Sequence, residues 1–170
     1  GNEALAVNQL RRTLRGIANI KDSIQCITII TESGDIIFYD KPTASSIKNS
    51  WLDTMNLTPE ELYDKISNEN STQYITTRYA SSFSAKPYYL FHLAHRIVDY
   101  NSIHRQLGVI IISIDERLLH EVCNQNSVDG DDTLPGNVNF IVDDEGRLVT
   151  FPVQRSIENT VLPIRIDGRR

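Results

Sequence analysis

Near the start of the chain, apolar residues recur at helical spacing: Leu5, Val7, Leu10, Leu14, Ile17 and Ile20. Arg11, Arg12 and Arg15 fall mainly off that stripe. The spacing predicts one amphipathic helix over residues 3–22, with Leu10, Leu14 and Ile17 as the packing stripe. The texture then changes to β-branched and aromatic runs broken by short polar turns. "TIITESGDIIFY" (28–39) is such a run, and "FIVDDEGRLVTF" (140–151) repeats its form. In each, an acidic or Ser-containing turn carries a Gly where positive φ is needed, which predicts a β-hairpin.

Residues 44–70 are polar and mixed. Thr58-Pro59-Glu60-Glu61 supplies an N-cap, a first-turn Pro and first-turn acids, so a short helix runs from there to about Ile66. A further helical turn is expected around Ile47–Met55. Strands follow at Gln73–Tyr79, in "YYLFHLAHRIVD" (88–99) and in "LGVIIISID" (107–115). Asp115 reads as the N-cap of a helix with Leu118, Leu119, Val122 and Cys123 on one face. "NQNSVDGDDTLPGN" reads as a linker. Short connections between the five strands predict one antiparallel sheet, with the long N-terminal helix on one face and the helical excursion on the other. The expected class is α+β, PAS-like, with a truncated second module that opens with the second hairpin. Alternation in the last strand puts Val109, Ile111 and Ser113 on one face and Gly108, Ile110, Ile112 and Ile114 on the other. The all-Ile face is expected on the N-terminal helix, and the Ser113 face under the excursion.

Composition narrows the function. At 170 residues the chain is one ordinary domain, or one with a fragment, and its net charge of −5 gives no electrostatic case for nucleic acid. No stretch reaches the ~18 to 20 apolar residues that cross a bilayer. The uncapped first helix suggests a piece of a longer protein. Cys26 and Cys123 read as buried thiols; a disulfide between them is neither required nor ruled out. "HEVCN" (120–124) lacks the second His of a zinc-protease motif, since residue 124 is Asn. His92 and His95, three apart in a strand, face opposite sides, so they do not share a metal. No phosphate loop, nucleophile elbow or cofactor motif is present, so no cofactor, metal or catalytic residue is expected.

"RIVDYNSIHRQLGVIIISIDERLL" resembles the extracellular Cache sensor domains of bacterial receptors, above all YesM-type sensor histidine kinases. The likeness rests on Arg96-Ile97-Val98-Asp99, Leu107-Gly108-Val109, and Ile114-Asp115-Glu116 followed by Leu118 and Leu119. The second hairpin resembles the one that opens the membrane-proximal module of double Cache domains, so the repeated phrase reads as an internal repeat. The resemblance implies a sensor domain over residues 1–125, a linker over 126–137 and a reduced second module over 138–170. It also implies a non-catalytic, extracytoplasmic ligand-sensing domain whose parent carries transmembrane helices and a kinase. The partner would be a small molecule, a peptide or a binding protein. Such parents signal as homodimers, while the isolated domain is expected to be largely monomeric. The alternative is a cytoplasmic PAS-type interaction module.

The amino-acid signature of double Cache receptors is not met: Trp51 has no Arg two residues before it, and Ser113 stands where that family has a strand Asp. Candidate pocket residues are Trp51, Tyr74, Arg78, Tyr89, His92 and Ser113. Arg78 would supply charge for a carboxylate or phosphate, and Ser113 would orient a ligand among apolar walls.

Overall fold

The structure, a computed structural model, describes residues 2–41, 57–80, 88–102, 105–125, 141–142 and 148–150. Trp51, the expected turn around Ile47–Met55 and the linker lie outside the described residues, as does the side chain of Arg78. The elements run α1 (Asn2–Ala18), β1 (Ile24–Thr31), β2 (Ile36–Asp40), α2 (Pro59–Ser67), β3 (Gln73–Ala80), β4 (Tyr88–Asp99), β5 (Arg105–Asp115), α3 (Arg117–Gln125), β6 (Ile141–Val142) and β7 (Leu148–Thr150). β1 to β5 form one sheet in the order β2-β1-β5-β4-β3, antiparallel at every pairing, and β6 pairs with β7 separately. This is an α+β domain consistent with a PAS-like fold.

The first hairpin forms where its sequence directs. Gly34 takes φ 85°, the left-handed region that glycine enters without steric cost. The Gly34 N–H donates to the Thr31 carbonyl at 2.9 Å, and the Ser33 hydroxyl donates to Asp35 Oδ2 at 2.7 Å. α2 starts with a full capping box. The Glu61 N–H donates to Thr58 Oγ1 at 3.2 Å, and the Thr58 N–H donates to Glu61 Oε2 at 2.7 Å.

Each sheet face has its own core. On one, Leu62 and Ile66 of α2 pack with Ile30, Leu90, Val109 and Ile111. On the other, Leu14 and Ala18 of α1 pack with Ile27 and Ile37, flanked by Val7, Leu10 and Ile110. The alternation in β5 is therefore as its sequence reads: Val109 and Ile111 turn to α2, Ile110 to α1.

α1 departs from its expected limits. It ends at Ala18 rather than residue 22, where Asn19 and Ile20 turn the chain toward β1. Its packing stripe is Val7, Leu10, Leu14 and Ala18; Leu14 is 2% exposed, while Ile17 is 40% and Ile20 73% exposed. The physical reason is width. α1 rests on β1 and β2 at one side of the sheet, and that seat covers one narrow stripe of a broader apolar helix face.

Gly108 explains how β5 sits so near β1. A Cβ there would come within 2.6 Å of the Ile30 carbonyl oxygen, closer than real side chains approach backbone. Gly108→Ala is expected to cost about 1–3 kcal/mol by prising β1 from β5; an unchanged urea midpoint would refute this close approach. Leu14→Asp is expected to lose on the order of 3 kcal/mol or more, because it buries a charge without a partner. Ile17→Asp should lose under about 1 kcal/mol at its exposed position. Equal melting temperatures for the two variants would contradict the observed stripe.

Candidate functional site

The register places four polar side chains in one row across the sheet. Asp40 pairs with Cys26, Cys26 with Ser113, Ser113 with His92, and His92 with Ile75. Asp40, Cys26, Ser113 and His92 are all at 0% exposure. They share the α2 face, since Cys26 and Ile75 belong to the cluster that holds Leu62 and Ile66. Polar groups buried there are costly unless hydrogen-bonded. His92 Nδ1 and the Ser113 hydroxyl share a hydrogen bond of 3.0 Å, and Cys26 Sγ lies 3.6 Å from Thr28 Oγ1.

Two of the sheet's bulges adjoin the row on its Asp115 side. In β1 the register shifts between Ile24 and Cys26, and in β3 between Ile75 and Arg78. Bulges re-aim side chains and concentrate beside functional sites. The row offers a carboxylate, a thiol, a hydroxyl and an imidazole, a mixture able to orient a small polar ligand among apolar walls. The His92–Ser113 contact is within reach of a base and nucleophile, but both side chains are wholly buried. Among the described residues no cluster of His, Cys, Asp and Glu could hold a metal ion.

The structure brings together two of the residues singled out by sequence, His92 and Ser113. Tyr89 pairs with Tyr79 and stands one residue from Leu90, so it faces away from the row. Tyr74 pairs with Leu93, also on the opposite face, where its ring stacks on Phe91 with centroids 6.0 Å apart. The grouping of Tyr89 with Ser113 is thus corrected by strand alternation. The Arg78 backbone lies opposite Leu90, in the register of the row's own face. His92 and His95 do take opposite faces: His92 pairs with Ser113, His95 with Ile110.

Sequence reasoning missed Asp40 and Cys26 as members of the row. Each belongs to it through pairing with a strand remote in sequence, and neither carries a local motif. It also missed a shallow groove of about 410 Å³ at the first hairpin tip, lined by Thr31, Glu32, Ser33, Arg105, Gln106 and Leu107. Beside it, burial and the Glu32 charge raise the pKa of the Tyr63 hydroxyl. Cys26 and Cys123 are buried thiols with no disulfide between them. Burial, and next the Glu116 charge, raise the pKa of the Cys123 thiol, which keeps it protonated near neutrality.

Ser113→Ala is expected to cost about 1–3 kcal/mol, because His92 Nδ1 loses its hydroxyl partner in a buried place. Ser113→Thr, which keeps the hydroxyl, should cost less. Urea unfolding that ranks the two the other way would contradict the pairing.

No protein-family model matches this chain, and no curated protein matches it either.

Proposed function

We propose that this chain is a non-catalytic, extracytoplasmic ligand-sensing domain of a membrane-bound sensor histidine kinase of the YesM type. The observation that carries the reading is the buried polar row on the α2 face. Four groups capable of hydrogen bonding line up across the sheet, with two bulges on one side of them, in a fold consistent with PAS-like sensors. A face that served stability alone would be filled more cheaply by apolar side chains. The Cache-like phrase from Arg96 to Leu119 supports the same reading.

In this reading a small polar molecule or peptide, free or delivered by a binding protein, engages the row and favours one packing of α2 on the sheet. Such a ligand signals only by the difference in its affinity for two packings. Among the described residues no helix is long and apolar enough to cross a membrane. The spanning helices and the kinase are assigned to the parent protein, and α1 is a candidate route to the membrane.

A thermal-shift screen against amino acids, sugars, carboxylates and peptides tests the proposal. One class should stabilise the wild-type chain, by about 2.7 kcal/mol at a hundred times its dissociation constant. The same class should lose most of that effect on Ser113→Ala. Stabilisation that is equal in the variant, or absent for every class, would refute the site.

A further inference from the structure

Asp115 ends β5 and joins three parts of the fold. Its backbone N–H donates to the Ser23 carbonyl at 2.8 Å, in the connection between α1 and β1. The next N–H, that of Glu116, donates to the Tyr89 carbonyl of β4 at 3.0 Å. The Asp115 carboxylate accepts the Arg117 backbone N–H at 2.9 Å through Oδ1, which caps the start of α3. The Arg117 guanidinium then closes on the same carboxylate. Nε lies 3.0 Å from both oxygens, and Nη2 lies 2.5 Å from Oδ2.

The two partners live in different surroundings. The Asp115 side chain is 8% exposed and that of Arg117 is 77% exposed. A carboxylate so deep needs compensation. Arg117 supplies it from the surface with a planar fork that meets both oxygens. A spacing of two residues keeps the cost of closing the contact small. Ser113 stands two residues upstream of Asp115, on the same face of the same strand. Along β5, a displacement at the row therefore reaches Asp115 before it reaches the Ser23 connection or α3.

We propose that Asp115, clamped by Arg117, is a coupling node that ties the polar row to the end of α1 and the start of α3. The Ser23 bond holds the α1 side and the helix cap holds the α3 side, so β5 cannot shift at Ser113 without moving both. The clamp itself is independent of any ligand; its use in signalling rests on the sensor reading above. An ordinary helix cap would secure α3 alone, and that difference is measurable.

Amide hydrogen exchange by NMR on the whole chain tests it, with no ligand present. In Arg117→Ala, the amides of Asp115 and Glu116, together with those of Leu119 and His120, should exchange about tenfold faster as one local unit. Acceleration confined to Leu119 and His120 would reduce Asp115 to a helix cap and overturn the node. A second arm asks whether the row is connected. Ser113→Ala should raise exchange at Leu119 and His120 in the wild-type background and add nothing in the Arg117→Ala background. Equal, additive increments in both backgrounds would overturn the coupling. If Ser113→Ala fails to fold, Ser113→Thr serves as the perturbation. Because no ligand enters, failure here leaves the ligand screen to judge the sensor reading separately.

Discussion

The structure depends on β5 lying between β1 and β4 with both of its faces packed. One face must satisfy α2 and the other the α1 side, and strand alternation allows one register that does so. Val109 and Ile111 fill the α2 face, and Ile110 joins the cluster of α1. Gly108 lets β5 close onto the Ile30 carbonyl. A slip of one residue would turn Ser113 onto the opposite face and put Ile112 in its place. The same constraint that builds the core therefore also fixes where the hydroxyl points, and with it the His92 contact.

Much of this was legible in the sequence because it follows from period and turn chemistry. The facing of Ser113 comes from alternation along Leu107–Ile114, and the first hairpin from Gly34 after an acidic turn. The capped start of α2 comes from Thr58-Pro59. The candidate site was less legible. Tyr89 stands three residues before His92, and the odd spacing that separates His92 from His95 also puts Tyr89 on the face opposite Ser113. The bulge between Ile75 and Arg78 changes the register of β3 and has no signature in "QYITTRYA". Asp40 and Cys26 enter the row only through pairing between strands, which no local pattern encodes. The width of the α1 stripe is not legible from periodicity, which shows how much of a helix is apolar, not how much of the sheet lies beneath it.

A buried row of hydrogen-bonding groups is a costly way to fill a core, and it makes the site sensitive. Hydrogen-bonded groups in a dry setting hold one arrangement firmly, while a small displacement weakens neighbouring contacts together. The row lies across the middle of the sheet, and Asp115 lies one step along β5, where the α1–β1 connection, β4 and α3 meet. In the proposed reading, binding at the row and movement at the helices are neighbouring events on one strand.

In the proposed sensor, the α2 face of the sheet receives the ligand. Methyl NMR on chain labelled at Ile, Leu and Val tests it most directly, using the compound that gives the largest thermal shift. Saturating compound should move the methyl signals of Ile111, Val109, Leu62 and Ile66, and leave those of Leu10, Ile37 and Ile110 nearly in place. Changes confined to Leu10, Ile37 and Ile110 would place binding on the α1 side and contradict the account.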